Sequence, residues 1–350
     1  MRKLATKRTV TELKPIEGAD RIELAMIDGW QIVVKKDDFK VGDSCIYFEI
    51  DSAFKADSLV GRSLDPSRLS KIYTDEGKQF EGFRIKTIKL RGQISQGFVL
   101  PLSYFKDESL LADEDQLSQN LEVYKYERPI FANSGLAPVR GDFPLHLQKT
   151  DQERIQNSID EVYQVYLENQ IHFEVSYKLD GTSMTVSRFE GDEHVCSRNL
   201  SFQLDCAYDD MTLVILGKEM LKSIEGDFTI QGELVGPSIQ SNFENLAKPQ
   251  FYMFSLFDVK RRENVTPSEA RLFAQQHGLN YVPVLHGNMT LQALFGENLT
   301  QTELLDALLH YADGESGLKG KYREGLVYKA EQESSFSFKT ISNKYLLKQA

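Results

Sequence analysis

The run Phe173-Glu-Val-Ser-Tyr-Lys178 ends on a lysine, and Leu179-Asp180-Gly181 follow it directly. An amine at the start of a tight turn is pre-positioned to attack an electrophile once it is neutral, and a carboxylate two residues on can hold a metal-bound water. Taken alone, the tetrapeptide is equally a surface strand end, because Lys-x-Asp-Gly also arises by chance. A second acidic residue stands in Ile230-Gln-Gly-Glu233-Leu-Val-Gly-Pro-Ser-Ile-Gln240, a strand that runs into a Gly-Pro turn. Burying Glu233 among Ile230, Leu234 and Val235 is costly unless a ribose hydroxyl or a metal-bound water meets it, and a wet edge strand would remove that cost altogether. Phe251-Tyr-Met-Phe-Ser-Leu-Phe257-Asp258 is nearly continuous and apolar, as in a sheet buried on both faces, with Phe257 placed to offer its ring to a purine. Last come Glu324-Gly-Leu-Val-Tyr-Lys329 and a second strand with Lys339, then Lys344. Exposed hairpin lysines are usually just solvated. Two acidic residues and two lysines brought together, however, would suit a triphosphate–metal site, with carboxylates for the metal's water shell and ammonium groups for phosphate oxygens.

Such side chains meet only if strands carry them to one place. Strands are expected at 173–178, 184–188, 228–235, 251–259 and 325–330. Between them lie helices with apolar stripes. Thr150 and Asp151 can cap one that carries Ile155, Ile159, Val162 and Tyr166. Thr266-Pro-Ser-Glu269 is a capping box whose helix Gly278 closes, and Thr302 opens another with Leu304, Leu305, Leu308 and Leu309. Residues 149–350 therefore read as an antiparallel or mixed α+β domain. Residues 131–148, rich in Gly and Pro, read as a linker. Residues 1–130 read as short strands with turns between them. Ile22–Ile27 and Trp30–Lys35 flank an Asp28-Gly29 turn, and a clean alternation over 83–90 sets Arg84 and Lys86 on one face. A small closed barrel hides strand edges economically, and an oligonucleotide-binding (OB) barrel is the first choice over a generic barrel or sandwich.

The composition narrows the classes. The chain has 350 residues, 41% hydrophobic and 27% charged, a globular mixture with length for two domains. No run approaches the ~18 apolar residues that cross a bilayer. Met1-Arg-Lys-Leu-Ala-Thr-Lys-Arg lacks a signal peptide's apolar core. Cys45, Cys196 and Cys206 form no Cys-x-x-Cys pair and the histidines show no ligand spacing, which argues against structural zinc and makes a reducing cytoplasm the expected compartment. The net charge of −11 is uneven: residues 1–130 hold 21 Lys+Arg against 22 Asp+Glu, whereas 319–350 hold seven against three. Phosphodiester binding follows local fields, so the acidic total does not veto a polynucleotide.

In order, these segments resemble the covalent nucleotidyltransferase superfamily of polynucleotide ligases and RNA capping enzymes. Lys178-Leu-Asp-Gly is similar to its nucleophile motif, and Ser197-Arg198-Asn199 to the next. Gly232-Glu233-Leu-Val-Gly-Pro-Ser-Ile-Gln240 resembles the RNA-ligase form of the third motif, Phe257-Asp258 the adenine-stacking strand, Glu324-Gly-Leu-Val the fourth and Phe338-Lys339 the fifth. Relatives often have Lys-x-Lys in the fifth; here position 341 is Ile, which leaves Lys344 as a possible substitute. DNA ligases and capping enzymes carry an OB domain after the fifth motif, whereas here the barrel pattern comes first. That order resembles the ATP-dependent RNA ligases with an N-terminal OB domain.

The resemblance implies ATP as cofactor, AMP carried covalently on Lys178, and Mg²⁺ or Mn²⁺ held by Asp180, Glu233 and Glu324. It places Lys149, Arg154, Leu179, Arg198, Glu233, Phe257, Lys339 and Lys344 around the nucleotide. Lys339 and the metal are expected to keep Lys178 unprotonated. The implied partner is RNA, a nicked duplex with 3′-OH and 5′-phosphate ends, and a monomer with no membrane association is expected. The rival readings are a DNA-nick ligase with a rearranged barrel, and a non-catalytic nucleic-acid-binding protein on the same scaffold. The retained lysine and glutamates speak against the second.

Overall fold

The computed structural model describes residues 3–75, 77–127, 138–205, 211–332 and 335–349. The chain divides into two compact units, Met1–Phe131 with Leu346–Ala350, and Ala132–Tyr345.

The first unit is built from β1 (Ala5–Pro15), β2 (Ile22–Ile27), β3 (Trp30–Lys35), β4 (Ser44–Phe48), β5 (Ser52–Lys55), β6 (Ser70–Tyr73), β7 (Gln79–Arg84), β8 (Thr87–Leu90), β9 (Gln93–Gln96), β10 (Phe98–Pro101), β11 (Tyr124–Lys125) and the one-turn helix α1 (Leu117–Asn120). They form the sheets β10-β4-β1-β2-β3 and β11-β5-β7-β6, with β8-β9 a separate hairpin. The β2–β3 turn places Asp28 at φ 46° and Gly29 at φ 82°, the double left-handed geometry that favours a two-residue hairpin. Alternation then buries Ala25, Ile27, Trp30 and Ile32 in one core with Cys45 and Tyr47, while Ile46 and Phe48 enter a second core with Phe54. Strand β4 is thus buried on both faces. The expected strand over 83–90 is broken, because Ile85 exchanges backbone hydrogen bonds with Asp51 and Ser52 instead of continuing the ladder. Arg84 lies before the break and donates to Asp51 Oδ1 from Nε and Nη2 at 3.0 and 2.6 Å, so it shares no strand face with Lys86.

In the second unit the strands are β12 (Val139–Asp142), β13 (Glu153–Arg154), β14 (Phe173–Lys178), β15 (Thr182–Phe189), β16 (Asp192–Cys196), β17 (Leu200–Phe202), β18 (Phe228–Val235), β19 (Gln250–Asp258), β20 (Glu263–Asn264), β21 (Val284–Met289), β22 (Gly325–Ala330) and β23 (Ser337–Ile341). The helices are α2 (Ile155–Glu168), α3 (Thr212–Ser223), α4 (Pro267–Gln276), α5 (Leu291–Phe295), α6 (Gln301–Tyr311) and α7 (Asn343–Gln349), the last running into the residues grouped with the first unit. One sheet runs β12-β17-β16-β15-β18-β19-β20 and is antiparallel; the other runs β13-β23-β22-β14-β21, with only β13–β23 parallel. Helices α3 and α4 pack Leu213, Val214, Ala270 and Ala274 onto the first sheet. Helices α2 and α6 pack Ile155, Val162, Leu304 and Leu308 onto the second.

Three local expectations are corrected. The α2 N-cap is Arg154, with no side-chain cap, because Asp151 is engaged elsewhere. Helix α6 is capped by Thr300, two residues before Thr302, through the Thr300–Glu303 capping box. Of the stretch read as linker, 131–137 lies outside the described residues, and Val139–Asp142 pairs with β17 as a sheet edge. Cys206 also lies outside them.

Candidate active site

Strand β14 ends at Lys178, which faces Gly325 across the ladder to β22 and so stands beside Glu324. The next residues turn out of one sheet and enter β15 of the other, where Ser183 faces Glu233. Gly181 makes that crossing possible. A Cβ there would lie 2.3 Å from the Leu234 carbonyl oxygen and 2.9 Å from Glu233 Cγ, so only glycine lets the turn rest on β18. Gly325 does the same for β22, since its Cβ would sit 2.1 Å from the Thr340 carbonyl oxygen. The glycines of both motifs are therefore close-approach residues, and they bring Lys178, Asp180, Glu233 and Glu324 together.

Lys178 Nζ lies 2.6 Å from Glu324 Oε1, with the lysine side chain 29% exposed and the glutamate 10%. Burial favours the neutral amine, but Glu324, Glu233 and Asp180 outweigh it and raise the Lys178 pKa above the ordinary lysine value. Without a metal or nucleotide in the site, the nucleophile candidate is therefore an ammonium ion. Burial pushes Glu233 up to about 8 against the pull of Lys178, and raises Glu324 as well. Glu324 Oε2 is buried with no hydrogen-bond partner. Among the described residues no three His, Cys, Asp or Glu side chains are grouped to ligate a metal directly. A buried acceptor lacking a donor, with two further carboxylates nearby, instead fits a cation held through its waters.

A cavity of about 330 Å³ opens from Lys178 between the sheets. One end is apolar, lined by Phe254, Val282 and Val327, with Lys329 beside them. Lys329 donates to the Phe254 carbonyl and lies 5.2 Å from the centre of its ring. Burial lowers its pKa to about 8, opposed by Glu174, which is fully buried between Arg271 Nε at 3.1 Å and the Tyr281 hydroxyl at 2.9 Å. Phe257 does not line this cavity; it is buried opposite Asn264 of β20. The rings lining the cavity are Tyr177 and, from β19, Phe254, three residues before Phe257 and on the other face of the strand.

The other end is charged. Asp151 accepts from Lys339 Nζ at 3.1 Å and from Arg198 Nη2 at 3.0 Å, holding two cations at the wall. Burial lowers the Lys339 pKa, with Asp151 opposing and Lys178 adding to the fall. Leu179 is buried in the same wall. Lys149 and Arg154 stay outside the lining: Lys149 Nζ donates to Asn199 Oδ1 at 2.8 Å, and Arg154 pairs with Lys339 in the β13–β23 ladder. Lys344 also lies outside the lining. It is exposed at the start of α7, where its backbone N–H donates to Asp313 Oδ1 at 3.3 Å.

An OB-fold domain model matches residues 4–102, and an RNA ligase model matches residues 171–345. No curated protein matches the sequence. A solved structure of a Naegleria gruberi RNA ligase mutant with AMP and Mn is 37% identical, with a TM-score of 0.79 and 99% of each chain covered. Another mutant of that ligase, with ATP and Mn, is 36% identical at a TM-score of 0.77, again over 99% of each chain. The chain belongs to the RNA ligase family.

Sequence reasoning missed Arg323, the buried neighbour of Glu324. Arg323 is 7% exposed and docks on the last carbonyls of α6, donating from Nη2 to Tyr311 at 2.6 Å and from Nε to Ala312 at 3.1 Å. Its guanidinium also lies 5.6 Å from the Tyr177 ring centre. The strand start carrying Glu324 is thus anchored to a helix C-terminus, where a cation is favoured. Arg323→Ala is expected to cost on the order of 3 kcal/mol in urea unfolding. A wild-type midpoint with an unchanged slope would show that the docking contributes nothing. Asp151 was also missed as a site residue, because Asp before a helix reads equally well as a cap.

Proposed function

We propose that this ligase uses ATP to join 3′-OH and 5′-phosphate ends at nicks in duplex RNA, as in RNA repair, through a lysyl-AMP and an adenylated 5′ end. The observation that carries the reading is the amine of Lys178, paired with Glu324 at the mouth of a cavity walled by a ring and two aliphatic side chains at one end and by cations at the other. Adenine would lie between Phe254 and Val327, and the phosphates would run toward Lys339 and Arg198. That the Naegleria gruberi relative was solved with ATP, AMP and Mn supports a nucleotide and a divalent metal as the occupants.

In the first transfer Lys178 Nζ bonds to the α-phosphorus and the bond to the β-phosphate oxygen breaks, releasing pyrophosphate. Glu324, 2.6 Å away, is the nearest base for the proton that the amine sheds. An oxygen of the RNA 5′-phosphate then attacks the same phosphorus and breaks the P–N bond. Finally the 3′-hydroxyl attacks the 5′-phosphorus and AMP leaves. Asp180, Glu233 and Glu324 would hold Mg²⁺ or Mn²⁺ through water, and the ion would supply positive charge at the reacting phosphate. Cys45 and Cys196 are free and buried, in keeping with a reducing cytoplasm, and among the described residues no helix is long and apolar enough to cross a membrane.

Two results are expected. Because the carboxylates raise the Lys178 pKa and Glu233 ionises only near about 8, the active forms of both gain as pH rises. Single-turnover adenylation should therefore climb between about pH 7 and 9, and a flat profile would mean that neither proton matters to the rate. Phe254→Ala should raise the ATP KM roughly tenfold with a smaller change in kcat, whereas Phe257→Ala should leave the KM near wild type. The deciding experiment offers a 5′-phosphate nick whose 3′-OH strand ends in ribonucleotides or in deoxynucleotides only. Sealing of the first alone supports the proposal, and equal sealing of both would favour a DNA-nick ligase.

A further inference from the structure

The four-stranded sheet β11-β5-β7-β6 of the first unit has a face whose composition the ligation chemistry does not use. Tyr124 pairs with Ala53, Ala53 with Arg84, and Lys55 with Gly82, so these residues share one face, and alternation along β7 adds Phe80 to it. Phe80 and Tyr124 are half-buried with ring centres 5.1 Å apart. Two ammonium groups lie over Tyr124, Lys55 Nζ at 5.8 Å and Lys78 Nζ at 5.2 Å. The acidic Asp51 beside them is already met by Arg84, which itself stacks 3.8 Å from the centre of Tyr126. Lys55 makes no ion pair among the described residues.

We propose that this face binds the RNA substrate. Half-exposed rings offer stacking surface to a base or ribose, and lysines held over a ring are spaced to meet the phosphates that run past it. A protein partner would be expected to meet a more apolar centre than this mixture of rings and ammonium groups. Lys86, on which the alternation over 83–90 had focused, lies past the break in the strand and is not part of the face. The inference rests on the reading of the chain as an RNA ligase.

The test uses the full chain and a fluorescein-labelled nicked RNA duplex with a 5′-phosphate, followed by anisotropy and by sealing. The variants are Tyr124→Ala and the doubly reversed Lys55→Glu/Lys78→Glu, whose changes lie at solvent-facing ends. Each should weaken binding by about tenfold or more, and the double variant should flatten the salt dependence by about two counterions. Adenylation of Lys178, which needs no RNA, should stay within about twofold of wild type. Wild-type binding and sealing by both variants would overturn the inference. Equal loss of adenylation and binding would overturn it too, by giving the face a structural role. A wild-type protein that adenylates itself but seals no RNA end would instead remove the reading beneath it.

Discussion

Lys178→Ala is expected to form no covalent adenylate with α-labelled ATP, a loss of at least about 10³-fold, while partly keeping the sealing of a nick adenylated beforehand. The split follows from the chemistry. In the proposed sequence the first transfer makes the bond to Nζ and the second breaks it; the last involves no such bond and would draw on the nucleotide pocket, the carboxylates and the phosphate-facing cations. Those groups hang on other strands: Glu233 on β18, Phe254 on β19, Glu324 at the start of β22 and Lys339 on β23. Removing the lysine side chain leaves their backbone register untouched. A labelled band in the variant would show that another residue carries the adenylate. Loss of both activities together would mean that the Lys178–Glu324 pair holds the site in shape.

Glu324→Gln should slow adenylation by roughly 10²-fold and also change its pH dependence. Glu324 is the largest influence holding Lys178 protonated, and its second oxygen is the unpartnered buried acceptor best placed for a metal-bound water. The amide removes the charge, so the lysine loses its proton at lower pH, and the climb in rate should move toward acid. Supplying less charge to the cation should meanwhile raise the metal concentration needed for half-maximal rate. A slower rate with an unshifted profile would assign Glu324 to the metal alone; a shifted profile with wild-type metal dependence would assign it to the lysine alone. Wild-type behaviour in both would remove it from the site.

How much of this was legible beforehand depended on whether the information was local. Strands β2, β3, β14, β18 and β22 could be read because apolar runs or alternation ended at Gly turns, and the Thr266–Glu269 box could be read because a cap spans one turn. Lys178, Asp180, Glu233 and Glu324 were singled out because their segments follow the superfamily's motifs in order, and the structure brings the four together. The choice of Phe254 over Phe257 was not legible. Strand β19 carries Phe251, Tyr252, Phe254 and Phe257 on both parities, and only the packing of two sheets tells which side is the cavity. Asp151 was hidden for a similar reason, since its partners Lys339 and Arg198 are distant in sequence. The break at Ile85 depends on Asp51 and Ser52, which alternation within one segment cannot reveal. The raised pKa of Lys178 in the ligand-free site was not legible, because it sums carboxylates from three separated segments.

That ion pair has a consequence for the resting protein. A primary amine with a nearby open cavity would ordinarily be a target for acyl phosphates, aldehydes and other adventitious electrophiles. Clamped to a carboxylate 2.6 Å away, Lys178 carries its lone pair on a proton and is chemically quiet. Its reactivity is therefore not a standing property of the side chain. On the proposed mechanism it would be switched on by the positive charge that the occupied site brings to draw Glu324 away, so the reagent that can be attacked would also arm the attack.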